Sequence, residues 1–150
     1  MKKETENTLI QSKSEIDEVI DKLTLFDDKL MSRVFDNNVA ATELILRIIL
    51  NKNIKVISVT GQNEMKNHDI EGRNITLDVH ALDENGNEID IEVQGNATGA
   101  HVKRARFHSS MIDSKMLKSG QKFSEMKDSH VIFIYKRDKF KKGLPVYHID

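Results

Sequence analysis

The chain has 150 residues, enough for one domain with its own hydrophobic core, and its lack of cysteine excludes disulfides, thiolate zinc sites and cysteine nucleophiles. The 23 basic and 24 acidic side chains give a formal net charge of −1, which does not indicate a globally basic nucleic-acid binder and leaves a local basic face open. No apolar run approaches the roughly 20 residues that cross a bilayer, and no apolar segment follows the charged N-terminus. We therefore expect a cytoplasmic protein with no membrane partner.

Two helices are predicted at the start of the chain. Apolar residues recur at spacings of three, four and seven over residues 8–23, which predicts an amphipathic helix. We assign residues 1–23 to an N-terminal helical extension, residues 24–150 to one domain, and residues 25–31 to a loop or helical turn. Asn37 and Asn38 can cap a second helix over residues 39–50. The apolar residues of this helix that we expect to face the core are Ala40, Leu44, Ile45, Ile48 and Ile49.

Alternating side chains predict a sheet in the second half of the chain. Residues 54–59 indicate a first strand, and residues 75–94 predict a β-hairpin around the Asn85-Gly86 turn. A helix from about residue 100 to 118, a buried strand at residues 131–135, a basic loop at 136–142 and a last strand at 146–149 follow. This order predicts an α/β fold with a mixed sheet flanked by helices.

The polar face of the hairpin carries the candidate chemistry. Asp78 lies about as far before the turn as Glu92 lies after it, so the two are predicted cross-strand neighbours with Cβ atoms ~5 Å apart. Glu92 and Gln94 share a face because side chains alternate along a strand. A hard divalent cation with a preference for oxygen ligands would hold the two carboxylates together. A solvated hairpin face is the alternative, and Asp90 on the same face is consistent with it.

Several segments resemble one family. Residues 73–79, the turn and residues 91–94 resemble the Asp…Glu-x-Lys core of the PD-(D/E)XK nucleases. More narrowly, the chain resembles the PD-(D/E)XK nuclease family transposases, also called recombination-promoting (Rpn) nucleases, in which Gln often replaces the Lys. Residues 27–35, 42–50, 103–108 and 117–134 resemble further blocks of this branch, so the resemblance covers about residues 24–149.

The resemblance implies a restriction-endonuclease-like core in α-β-β-β-α-β order and hydrolysis of DNA phosphodiester bonds that depends on Mg²⁺ or Mn²⁺. Asp78 and Glu92 would hold the metal, and Glu43 on the helix before the sheet would complete the acidic site. Gln94 stands where the wider family has a Lys. A cation on the following helix, from Lys103 or Arg104, would compensate for the missing charge, or else the activity is low or lost.

Basic residues near the acidic site point to DNA as the partner. Lys103, Arg104 and Arg106 are predicted to contact DNA phosphates, whereas we interpret residues 136–142 as a solvated loop. Double-strand cutting by one small domain would favour a homodimer. Related proteins usually continue past residue 150, so we expect a C-terminally truncated domain.

Three functions stay open at this point. The first is a metal-dependent DNA endonuclease associated with recombination or transposition. The second is a degenerate, non-catalytic nuclease-fold module that binds DNA or a protein partner. The third is a small-molecule-binding α/β domain whose acidic hairpin is a coincidence.

Overall fold

The computed structural model describes Glu18, Lys22, Thr24 and residues 26–69, 71–95 and 102–149. The helix predicted over residues 8–23 lies outside these residues except for Glu18 and Lys22, which are helical. The elements are the helices α1 (Asp28–Phe35) and α2 (Val39–Leu50), the strands β1 (Val56–Met65), β2 (Ile75–Asp83) and β3 (Glu88–Gln94), helix α3 (Val102–Met116), a 3₁₀ turn (Phe123–Glu125) and strand β4 (Ser129–Tyr135). Within the described ranges, no helix is long and apolar enough to cross a membrane.

The four strands form one mixed sheet in the order β1-β2-β3-β4. β1 pairs with β2 and β2 with β3 in antiparallel fashion, whereas β4 runs parallel to β3. The predicted mixed sheet with flanking helices is confirmed, and from α2 onward the order is the α-β-β-β-α-β that the resemblance implies. Because β3 and β4 are parallel, their carboxyl ends lie at the same edge of the sheet, where Gln94 pairs with Tyr135.

The turn between β2 and β3 is fixed by one buried carboxylate. Asp83 accepts the backbone N–H groups of Asn85 and Asn87, each at 2.8 Å, and the side-chain amide of Asn87 at 2.9 Å. Gly86 supplies the positive φ of 83° that the turn requires. Burial alone would raise the pKa of Asp83, but these donated hydrogen bonds outweigh it and hold the pKa below its ordinary value.

The two faces of the sheet are covered by different helices. Val79, Ile91 and Val93 pack in one cluster with Met31 of α1 and Leu46 of α2. Side chains alternate along a strand, so the even-numbered residues of β3 face the other way, toward α3. β3 is consequently buried on both faces, and the polar residues on its α3 side lie inside the molecule.

The far end of β2 leaves this pattern. Ile75 and Leu77 pack with Met111 and Ile112 of α3 rather than with α1 and α2. At its start, before Val79, β2 is paired with β1 but not with β3. Two-stranded ribbons twist more strongly than wide sheets. A stronger twist in this segment is the physical reason for which Ile75 and Leu77 can face α3.

Three local predictions are wrong. Residues 28–31, predicted as part of a loop or helical turn, belong to a full helix that continues to Phe35, and the Asp27 side chain caps it by accepting the N–H of Leu30 at 3.0 Å. Ala40, Leu44 and Ile48 are exposed and do not face the core, Leu44 to 54% and Ile48 to 70%, because apolar residues occur on more than one side of α2. Residues 146–149 form no strand.

Candidate active site

Asp78 and Glu92 lie where β2 and β3 separate. Val79 and Ile91 form the end pair of the ladder between these strands. Past that pair, the N–H of Asp78 donates to Oε1 of Glu92 at 3.0 Å, and the N–H of Val93 donates to Oδ2 of Asp78 at 3.3 Å. At this point the carboxylates accept the backbone N–H groups that would otherwise bond to the opposite strand. The structure thus brings together the two residues that the cross-strand spacing predicts.

Helix α3 adds a histidine that sequence reasoning did not place in the site. His108 is 3% exposed, and its Nδ1 lies 2.8 Å from Oδ2 of Asp90 and 3.8 Å from Oε1 of Glu92. Asp90 and Glu92 are both fully buried. The interpretation of Asp90 as part of a wet hairpin face is therefore wrong, because α3 covers that face.

Arg104 connects the histidine to Glu92. Its Nη2 donates to Oε2 of Glu92 at 2.7 Å, and its Nε donates to Nε2 of His108 at 3.4 Å. Its guanidinium carbon also lies 5.5 Å from the centroid of the Phe133 ring, a cation–π distance. Since Nε2 of His108 accepts from Arg104, the ring proton lies on Nδ1 and is donated to Asp90.

Burial and crowding shift the protonation of this cluster. Burial, and then the charge of Asp78, raises the pKa of Asp90 to about 7. Burial, and then the charges of Asp90 and Asp78, raises the pKa of Glu92 to about 8, while the hydrogen bond from the N–H of Asp78 acts in the opposite direction. Burial lowers the pKa of His108, so its imidazole is neutral at neutral pH.

The donor set fits a divalent cation. The nearest ligand atoms of Asp90, Glu92 and His108 all lie within 4.8 Å of one another. Among the described residues, Oδ1 of Asp90 has no hydrogen-bond partner although it is buried, and an unpaired carboxylate oxygen is costly unless a proton or cation approaches it. Carboxylate oxygens suit Mg²⁺ or Mn²⁺. The imidazole, which Mn²⁺ accepts more readily, would become a ligand only after Nδ1 gives up its proton and its hydrogen bond to Asp90.

The other predicted site residues lie at different distances from this cluster. Gln94 is half-buried at the end of β3, two residues beyond Glu92. Lys103 and Arg106 are exposed on α3, on the helix that carries Arg104. Of the predicted basic residues, Arg104 bonds directly to the carboxylate of Glu92.

Glu43 is not brought to Asp78 and Glu92. Its Oε1 accepts the N–H of Val56 at 2.9 Å, at the start of β1. In the β1–β2 register Val56 lies opposite Asp83, whereas the position opposite Asp78 is Gln62, six residues further along β1. Six residues of strand span roughly 20 Å.

Asp90 and His108 are the site residues that the sequence did not single out. Alternation alone places Asp90 on the face of Glu92, and the spacing of four places His108 on the face of Arg104. What the sequence lacks is the packing of α3 on β3, which converts a polar strand face into a buried cluster.

One comparison with known proteins finds a family that the chain matches. A family model described as PD-(D/E)XK nuclease family transposase matches residues 5–149 of the chain. No curated protein and no solved structure matches the chain significantly.

Proposed function

The chain belongs to the PD-(D/E)XK nuclease family transposases, and from this premise we propose that it is a metal-dependent DNA endonuclease that hydrolyses phosphodiester bonds. Membership supports a nuclease-like function. The choice of DNA as substrate, the need for Mg²⁺ or Mn²⁺, and a role in recombination or transposition are parts of the proposal.

The observation that carries the proposal is the locked pair of carboxylates at the strand separation. Each accepts a backbone N–H from the opposite strand, at 3.0 Å for Glu92 and 3.3 Å for Asp78. These bonds fix the two side chains without a flexible loop, and preorganised charge of this kind favours catalysis. The residues that would hold the metal are Asp78 and Glu92, with Asp90 and His108 within reach. When bound, a divalent cation would polarise the scissile phosphate and lower the pKa of the attacking water.

Arg104 takes the role that a Lys has at the Gln94 position elsewhere in the wider family. Gln94 can orient a water molecule through its amide but brings no charge. Arg104 carries a permanent positive charge at 2.7 Å from Glu92, and its other N–H groups can meet the charge that develops on the phosphate. Lys103 and Arg106, exposed on the same helix, would contact the DNA backbone.

Cleavage of supercoiled plasmid DNA tests the proposal. We expect nicking or linearisation with Mg²⁺ or Mn²⁺, and its loss in both Asp78→Asn and Glu92→Gln. Glu84→Gln is the matched control, because Glu84 is an exposed carboxylate on the same hairpin, at its turn. Cutting that survives in both site variants would contradict the assignment. No cutting by the wild type would favour the non-catalytic module that binds DNA or a protein partner.

A further inference from the structure

An open cavity lies beside the candidate site, between the end of β3 and the loop that follows β4. Its volume is about 690 Å³. Its lining includes Gln94 and Gly95 on one side and Lys136, Arg137, Lys139 and Lys141 on the other. The carboxyl ends of the parallel strands β3 and β4 meet at this edge, which brings a basic loop beside Gln94 although it is some 40 residues away in sequence.

Aromatic contacts connect this cavity to the buried cluster. Arg104 lies over the Phe133 ring, and Phe133 stacks on Tyr135 with 6.2 Å between the ring centroids. Tyr135 is itself part of the cavity lining. Side chains of β4 therefore link the lining of the cavity to Arg104, the ion-pair partner of Glu92.

The loop has an internal frame built on Asp138. One oxygen of Asp138 accepts the N–H groups of Phe140 at 3.0 Å and Lys141 at 2.9 Å and the Tyr147 hydroxyl at 2.8 Å. The other oxygen accepts the N–H of Gly143 at 2.7 Å. The rings of Phe140 and Tyr147 pack with 4.7 Å between their centroids. These contacts organise the backbone of the loop, and with it the points from which its lysine and arginine side chains project.

The charge of the loop contrasts with that of the chain. Residues 136–142 contain five basic side chains and one acidic one, a net charge of +4, whereas the whole chain has −1. All seven residues are exposed. Both oxygens of the single carboxylate, Asp138, are engaged by the loop itself. The interpretation as a merely solvated loop does not explain why such a loop is ordered beside Gln94.

We propose that this basic loop, residues 136–142, binds the phosphate backbone of the nucleic-acid substrate next to the position of cleavage, an inference that rests on the proposed function. A strand whose scissile phosphate lies near Glu92 and Gln94 has its neighbouring phosphates in the adjoining cavity. Lys and Arg contacts to phosphates supply most sequence-independent affinity and make it strongly salt-dependent.

The salt dependence of DNA binding tests the loop. Binding of a short labelled duplex is measured by fluorescence anisotropy in EDTA, at salt concentrations from about 50 to about 200 mM. The triple variant Lys136→Gln, Arg137→Gln, Lys139→Gln is compared with a triple variant of three exposed lysines, Lys115→Gln, Lys118→Gln, Lys127→Gln. Lys115 lies in the last turn of α3, and Lys118 and Lys127 lie between α3 and β4, so all three precede the strand that the basic loop follows. Removing them changes the net charge equally.

We expect the slope of log Kd against log salt concentration to fall by about 2 to 3 in the loop variant, since each lost phosphate contact removes about 0.9. The control should keep the wild-type slope. A loop variant that keeps the wild-type slope, or a control that loses as much, overturns the inference and leaves the proposed function standing. A wild type that binds no DNA even at the lowest salt concentration also overturns the inference, and the proposed function is then judged by plasmid cleavage with Mg²⁺ or Mn²⁺.

The variant Asp138→Ala distinguishes the effect of the loop's internal hydrogen bonds on DNA affinity from the effect of its net charge. This substitution removes a negative charge, so a long-range charge effect predicts tighter binding. Loss of the frame predicts weaker binding, because the lysines no longer hold their positions. We expect Kd to rise about 3- to 10-fold, while circular dichroism shows an unchanged fold. Tighter DNA binding by Asp138→Ala would show that the loop is not preorganised. If the wild-type protein binds an acidic protein and no DNA, the loop does not serve a nucleic acid.

Discussion

The substitution Asp90→Asn should make the protein more stable at alkaline pH. Burial, and then the charge of Asp78, raises the pKa of Asp90 from 3.8 to about 7. A carboxyl with a raised pKa in the folded state contributes stability below pH 3.8, and this contribution is lost as the pH rises through about 7. At about 1.4 kcal/mol for each pKa unit, the loss in wild type reaches about 4 kcal/mol near pH 8.

The asparagine removes the charge and keeps an oxygen for the N–H of His108. Its amide hydrogens take the position of Oδ1, which has no partner within the described residues, at a cost of about 2 kcal/mol. We therefore expect Asp90→Asn to be about 2 kcal/mol more stable than wild type near pH 8 and about 2 kcal/mol less stable near pH 4. The two stability curves should cross at roughly pH 5.

Urea unfolding in EDTA, followed by circular dichroism between about pH 4 and pH 8, measures these differences. Asp83→Asn is the matched control, for which we expect a pH dependence of the free energy of unfolding with the opposite sign. The hydrogen bonds at Asp83 lower its pKa against the effect of burial, so its stabilisation is present at high pH and is lost as the pH falls. If the free-energy difference between Asp90→Asn and wild type stays constant from pH 4 to pH 8, Asp90 has an ordinary pKa and the reasoning fails.

Three further substitutions test individual roles. Arg104→Gln should lower the cleavage rate by about 100-fold or more, and it should tighten Mn²⁺ binding measured by calorimetry, because it releases Oε2 of Glu92; weaker Mn²⁺ binding would contradict competition for this oxygen. Gln94→Lys should restore part of the cleavage lost in Arg104→Gln but none of that lost in Asp78→Asn, and rescue of neither would show that the two cations are not equivalent. Glu43→Gln should leave Mn²⁺ affinity within about 2-fold of wild type, since its carboxylate serves the backbone of β1 and glutamine keeps that acceptor; a larger loss of affinity would restore Glu43 as a metal ligand.

Local sequence rules predicted the hairpin and α2 well. The Asn85-Gly86 turn gives the β2–β3 register, and the Asn38 cap gives the start of α2 because its side chain accepts the N–H of Ala41 at 3.1 Å. The core face of α2 was not predictable in this way. Its apolar residues surround the helix, and Thr42 is buried since its hydroxyl donates to the carbonyl of Asn38 at 2.9 Å. Because a hydrogen-bonded hydroxyl can lie at the core face, the positions of the apolar residues alone do not identify the buried side of this helix.

In the candidate site too, some residues follow from local sequence rules and others depend on tertiary packing. Asp78 and Glu92 follow from the register of one hairpin, which is local. Asp90 and His108 depend on α3 crossing β3, a contact between residues 18 positions apart, and no periodicity in either element specifies it. Alternation gives the face of Asp90, but whether that face meets water or a helix is decided by tertiary packing.

The charge balance of the buried cluster relates the Gln at position 94, where the wider family has a Lys, to Arg104 of α3. Asp78, Asp90 and Glu92 carry three negative charges when ionised, and Arg104 offsets one of them. A lysine at position 94 would bring a second positive charge, which glutamine does not. Among these four side chains, two negative charges are left for protons or for a divalent cation, and the raised pKa values of Asp90 and Glu92 reflect the same imbalance. Glutamine at this position therefore leaves the cluster more dependent on a cation, and the positive charge of Arg104, whose guanidinium contacts His108 and Phe133, offsets only part of the acidic charge.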